Sequence, residues 1–384
     1  MHSTSTTAAR SKGGGAAAIA ERIDLGGATT DLYLAATETA PVRPHMLFFN
    51  GGQSHAILSF VASGHVVFFD ARTHAALSCI DVGVQAHAAV PAPDGSYVVV
   101  ANQNGKLLQR IATDYATNTF TLEPAATLDL ANGTTPSGAL RQDPVLRPDN
   151  APICPLVDSS SRWAFVTLRG GGRFVVDATS TPMRIVAEYD RETIHGNGCG
   201  GLEARGKMYV NSGSGTAANL SEFDVYAFRL DAFSGEAAPP NTPAPKLVVS
   251  QDDRPETDSH GTAITKHRRY LWVADRAGNR VLVIKTATDR VVGEFSLAGG
   301  LSDDPSPDLL DVSPRGDYMF VSLRSAIPLT GDPYAATGST PSVGVIKVRK
   351  GGKTGAFEAI ARIANVDATG LDWADPHALR VRQK

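Results

Sequence analysis

The chain is poor in cysteine. It carries three, Cys79, Cys154 and Cys199, among 384 residues. A count that low and odd argues against a disulfide framework and leaves at least one thiol free. Long hydrophobic runs are missing too. None approaches the roughly 20 apolar residues of a membrane helix, and Ala16–Ala20 is too short for the core of a signal peptide. Charge of one sign is scarce, with a net charge of −3, so no basic footprint for nucleic acid exists. No phosphate-cradling GxxxxGK[ST], GxSxG elbow, CxxC or HExxH occurs. Gly170-Gly171-Gly172 reads as a hairpin turn, because no helix follows it. Amphipathic stretches of helical period and useful length are absent. These absences predict a chain without a membrane span or a nucleic-acid partner, and a cytoplasmic location (periplasmic if a leader has been removed).

What is present is punctuation. The 37 glycines and 23 prolines separate short β-branched or aromatic runs such as His65–Asp70, Tyr97–Asn102, Tyr270–Asp275 and Tyr318–Ser322, which read as strands. The class is all-β. Ser259–Leu297 divides into four strands joined by tight turns, Ala277-Gly278-Asn279 among them. The same scheme returns at 45–82, 87–130, 154–189, 199–250 and 308–366. Four antiparallel strands per unit at this spacing is the pattern of propeller blades. A further first-strand pattern closes the chain at Asp375–Arg382, and Ala20–Leu25 and Asp31–Ala35 look strand-like near its start. The expectation is a seven-bladed β-propeller whose last blade is shared between the N- and C-termini, which removes open sheet edges. Residues 1–15 read as a disordered tail and 16–384 as one domain. Long insertions fall near 131–150, 231–246 and 325–342, lengths typical of lids and binding loops.

The recurrent phrase resembles the YVTN family of β-propeller repeats. Its matches here are Pro44-His45, Ala86-His87 with Pro93-Asp94-Gly95, Ser259-His260-Gly261 with Val273-Ala274-Asp275, and Pro376-His377. The resemblance spans residues 45–384 and implies the fold, while such propellers host unrelated activities.

Aligned on the bulky residue that opens each second strand (His55, Tyr97, Trp163, Met208 or Tyr209, Tyr270, Tyr318), the blades begin nine or ten residues earlier with His45, His87, Cys154, Cys199, His260 and Asp308. The seventh first strand opens with His377. Six of these seven stations hold His or Cys, although the whole chain has only ten His and three Cys. First strands line a propeller's channel, so equivalent stations converge on the axis. Imidazole, thiolate and carboxylate are ligands of first-row metals. The expected metal set is therefore His45, His87, His260 and His377, completed by Cys154, Cys199, Asp308 and His195. His195 competes with Cys199 for the same turn. Asp258 and Asp375, each two residues before a station His, share its face and are expected to fix imidazole tautomers. Cys79 is assigned no role.

That ligand mixture suits copper or iron, with zinc as the alternative, better than magnesium or calcium. In outline the ring resembles metal-binding seven-bladed propellers: selenium-binding-protein-like thiol oxidases, the copper domain of nitrous oxide reductase, and the four-His iron site of carotenoid oxygenases. Those resemblances imply a metal-dependent oxidoreductase acting on a small-molecule substrate. Two other readings stand beside it. One is a non-catalytic scaffold for a ligand or protein partner. The other is a lactonase-like hydrolase, which would place calcium and oxygen ligands at the stations.

Overall fold

In a computed structural model, the structure describes residues 4–9, 18–27, 29–196, 198–213, 221–234, 242–251, 255–329 and 337–383. Six four-stranded antiparallel sheets follow one another along the chain. Their innermost strands are Pro44–Phe49, Ala86–Pro91, Pro152–Val157, Gly201–Ala204, Ser259–Ile264 and Pro307–Val312, in blades 1 to 6. Within each blade the strands lie in sequence order, so every connection is a hairpin; in blade 2 the short strand Leu128–Asp129 adds to the third strand. The turns are those their residues demand. In Pro93-Asp94-Gly95, Gly95 takes φ +78° and the Asp94 carboxylate accepts from Ser96 N at 3.0 Å, a local bond that closes the turn.

Each sheet is apolar on both faces of its middle strands, because each blade is covered by two neighbours. Separate apolar wedges fill the gaps: Val98, Val100, Phe68 and Phe120 between blades 1 and 2, Phe165, Tyr189 and Phe228 between 3 and 4, and Trp272, Met319 and Val321 between 5 and 6. Trp272 is fully buried, and its indole N–H donates to the Gly352 carbonyl of the next blade at 2.8 Å.

The sector between blades 6 and 1 is built from both termini. Segment 375–383 runs beside the inner strand of blade 6. Val381 N donates to the Asp311 carboxylate at 2.8 Å, and the His377 carbonyl accepts from the Ser322 hydroxyl at 2.6 Å. Its end reaches blade 1, where Arg382 donates to the Ala71 carbonyl at 2.9 Å. Farther out, Ala18–Asp24 pairs with Thr4–Ala9 as a hairpin, and Arg22 donates to the Ala364 carbonyl beyond blade 6 at 3.0 Å. The seventh sector therefore differs from the other six. Side chains, rather than a backbone ladder, satisfy its inner segment, and no four-stranded sheet forms there among the described residues. A second difference is Asp31–Ala35, expected as a strand and found inside the helix Thr30–Thr37. Its apolar run, Leu32 to Ala35, is too short to specify a strand. Leu and Ala favour a helix there, Asp31 sits in the first turn where a carboxylate is favourable, and Tyr33 is buried against Phe60 and His65.

Insertion 131–150 links blade 2 to blade 3. In the other two, residues 235–241 and 330–336 lie outside the described residues. Among the described residues no helix is long and apolar enough to cross a membrane. The wedge arrangement yields a first prediction. Trp272→Ala should cost about 3–5 kcal/mol, read as a lowered urea midpoint, because it empties the wedge between blades 5 and 6 and strands the Gly352 carbonyl.

Candidate metal centre

Local backbone geometry aims the station residues. In five blades the register of the inner strand slips at the station: between Pro44 and Leu47, Ala86 and Ala88, Pro152 and Pro155, Ser259 and Thr262, and Pro307 and Leu310. Bulges of this kind leave a residue out of the ladder and redirect its side chain. His45, His87, Cys154, His260 and Asp308 all fall in these slips. The prolines at 44, 152 and 307 suit the position, since they offer no N–H to a ladder.

A second device recurs one strand outward. Ser59 of blade 1 donates to the His87 carbonyl at 2.9 Å, Asn211 of blade 4 to the His260 carbonyl, and Ser322 of blade 6 to the His377 carbonyl at 2.6 Å. Blades 1, 4 and 6 thus anchor the backbone of the station that follows each of them. Close approach also explains two glycines. A Cβ on Gly261 would collide with the Asp308 carbonyl, and one on Gly200 with the His260 carbonyl.

The result is a buried polar cluster. His45, His260 and His377 are 3%, 6% and 7% exposed and Asp308 is wholly buried; His87 is half-buried. His45 Nε2 lies 3.1 Å from His87 Nε2, and the His45 ring stacks on His377 with centroids 4.2 Å apart. Two sets have all their ligand atoms within 4.8 Å of one another: His87 with Cys154 and Cys199, and His260 with Asp308 and His377. His45 sits between them. Met46, Ala88, Ile153 and Leu309 form an apolar layer against the cluster.

The proton positions follow from the contacts. His377 Nδ1 is 2.7 Å from Asp308 Oδ2 and 2.8 Å from Arg324 Nη1. The carboxylate decides the tautomer. An ionised oxygen against a bare ring lone pair would repel, and Arg324 Nη1 already has Asp308 Oδ2 as its acceptor at 2.7 Å. Nδ1 therefore carries the hydrogen and Nε2 the lone pair, the arrangement in which a carboxylate orients a ligating histidine. Burial, reinforced by the neighbouring imidazoles and Arg324, holds His45 well below the ordinary histidine range. Burial and Arg276 do the same to His260. Burial pushes His87 down to about 3. These imidazoles are neutral at physiological pH and keep their lone pairs. Burial would raise the Asp308 pKa, but the Arg324 guanidinium and the hydrogen bond from His377 hold it well below the carboxylate range.

The wider shell was only partly anticipated. Asp258 and Asp375 do not serve the imidazoles as expected. Each takes up a buried arginine instead, Asp258 with Arg276 and Asp375 with Arg324 at 2.6 Å. Arg324 and Arg276 gave no sequence signal beyond each directly following a second strand. His195 joins neither ligand set. Its Nδ1 pairs with Asp224 Oδ2 at 2.6 Å, on the third strand of its own blade, and its carbonyl accepts from Ser212. Cys199, and not His195, reaches the axis from that turn.

The cysteines bring the main correction. Cys154 and Cys199 are joined in a disulfide, with Cα atoms 5.3 Å apart. The counting rule tests for frameworks; a single bridge arises here because adjacent inner strands bring equivalent stations together. In this state neither sulfur is a thiolate, so neither is a ligand. Cys79 is the free cysteine, and burial pushes its thiol up to about 12.

No protein-family model matches the chain, and no curated protein matches it. Solved structures do resemble it. Hydrazine synthase of Kuenenia stuttgartiensis superimposes with a TM-score of 0.54 at 15% identity, over 80% of this chain and 78% of that one. A chain of a mitotic checkpoint complex does so with a TM-score of 0.52 at 11% identity, over 83% and 76%. At such identities the likeness shows fold alone, and by fold this chain is a β-propeller.

Proposed function

We propose that the protein is a metal-dependent enzyme, an oxidoreductase, that holds a transition-metal ion on the propeller axis through His260, Asp308 and His377, with His45 and His87 completing the imidazole set. One observation carries this reading. His45 Nδ1, His260 Nδ1 and His377 Nε2 are buried without a hydrogen-bond partner, and His260 Nε2 lies 3.1 Å from Asp308 Oδ1 with neither atom bonded elsewhere. An unsatisfied buried polar atom costs about 1–3 kcal/mol, and a cation held by His260, Asp308 and His377, whose ligand atoms lie within 4.8 Å of one another, would relieve that penalty where they meet. Neutral imidazoles and one ionised carboxylate suit copper or iron, and also zinc. A calcium-dependent hydrolase would need oxygen ligands, and Asp308 is the one carboxylate at the seven stations. The YVTN relationship and the likeness to metal-binding propellers belong to this same proposal.

The chain's own groups have defined parts. Asp308 keeps the His377 proton on Nδ1. Arg324, bonded to Asp308 and Asp375, keeps that carboxylate ionised and in place. The apolar layer of Met46, Ile153 and Leu309 excludes water from one side of the cluster. A bound copper or iron ion would supply one-electron chemistry to a small substrate entering beside half-buried His87.

Two outcomes follow. Chain stripped of metal and loaded with Cu²⁺, anaerobic Fe²⁺ or Zn²⁺ should retain about one ion in its oxidised form. His260→Ala and His377→Ala should abolish retention while circular dichroism stays unchanged, and Asp308→Asn should weaken it about 10–100-fold. Unchanged metal content in both alanine variants would overturn the assignment and leave a binding scaffold. The second outcome concerns acid. Below the ordinary value of 6.5 the unfolded chain protonates at His45, His87 and His260, while the folded chain does not. The stability this confers is full above pH 6.5 and is lost as pH falls. Metal-free protein should lose up to about 1.4 kcal/mol per pH unit per imidazole, and His87→Gln should show a shallower slope in urea melts between pH 6.5 and 4.

A further inference from the structure

Of the two ligand sets at the axis, one contains the disulfide. The Cys154 and Cys199 sulfurs and a His87 ring nitrogen lie within 4.8 Å of one another. Both cysteines are nearly inaccessible, at 1% and 5% exposure, and His45 Nε2 is 3.1 Å from His87 Nε2. Two sulfurs and two imidazoles at one point, beside a carboxylate and two further imidazoles, make adjacent sites of different chemical softness.

We propose that reducing Cys154–Cys199 creates a second metal site, made of the two thiolates and His87, so that the redox state of this one bond sets whether the axis carries one ion or two. The inference deepens the axial metal reading and rests on it for the neighbouring ion. The step balances with a dithiol as reductant. The dithiol gives up two electrons and two protons and becomes a cyclic disulfide. The Cys154–Cys199 bond breaks, and each sulfur takes one proton. A divalent ion then binds the two sulfurs and releases those two protons to solvent. Thiolates favour zinc and monovalent copper, whereas the histidine–carboxylate set accepts harder ions. The framework tolerates the change because the cysteines sit on separate anchors. Cys154 lies in the inner-strand slip of blade 3, and Cys199 precedes Gly200, whose N–H donates to the Asn211 side chain at 2.8 Å. Compartment bears directly on the state. Glutathione and thioredoxin keep cytosolic thiols reduced, and an oxidising compartment preserves the bond. A cytoplasmic chain would hold two ions and an exported one a single ion.

The test uses the full chain carrying Cys79→Ser, which removes the remaining thiol. Oxidised protein should show no thiol after denaturation. Protein treated with dithiothreitol and desalted without oxygen should show two. Both are titrated with Co²⁺ and then analysed for bound metal. The expected result is about one ion in the oxidised form and about two in the reduced form, with thiolate-to-cobalt charge-transfer absorption in the reduced form alone. Cys154→Ser combined with Cys199→Ser should remove that absorption and the second ion without touching the first. Equal metal content and no charge-transfer absorption in protein proven to be reduced would overturn the switch and leave the axial reading standing. One thiolate-bound ion in the reduced form and none in the oxidised form would support the thiolate site and remove the axial reading. No ion in either form would remove both.

Discussion

Arg324 holds the seventh sector to the rest of the ring. Its guanidinium is fully buried and reaches Asp308 on the inner strand of blade 6 and Asp375 on the C-terminal segment, at 2.7 and 2.6 Å. Removing one partner of such a buried pair typically costs about 3–5 kcal/mol, because the other charge is left without compensation. The pairing also determines chemistry. It brings His377 beside Asp308, keeps Asp308 ionised, and so places the His377 proton on Nδ1. Closure of the scaffold and orientation of the site are one interaction seen from two sides.

The axial cluster contravenes the usual economy of a protein interior. Most buried polar atoms are satisfied, and in the blades serine, threonine and asparagine side chains bond carbonyls that the ladders leave over. At the stations the same serine and asparagine devices are used to hold backbone in place while imidazole nitrogens a few ångströms away go unbonded. A fold that satisfies its backbone so fully around one point, and leaves side-chain lone pairs there unused, has its local rules broken where function is expected.

Much of the architecture was legible in residues. Short apolar runs such as Tyr97–Asn102 and Tyr270–Asp275, set off by Pro-Asp-Gly and Gly-Asn turns, specify strands and hairpins through local conformational preference alone. Their repetition specifies blades. The stations were legible as well, since Pro-His, Ala-His and Ser-His-Gly mark the same bulge in blades 1, 2 and 5. Asp31–Ala35 failed because a run of four apolar residues does not outweigh helix propensity combined with a buried tyrosine.

Sequence by itself determined the class, the repeat and the gathering of histidine, cysteine and aspartate at one level of the channel, because these follow from patterns within about forty residues. Tertiary structure alone decided that Cys154 bonds Cys199, that His195 turns to Asp224, and that Asp258 and Asp375 serve arginines. Each of those outcomes depends on the distance and angle between side chains on different strands or different blades. Rotations of a few degrees in blade packing change such distances by a bond length, and no periodicity along one chain encodes them.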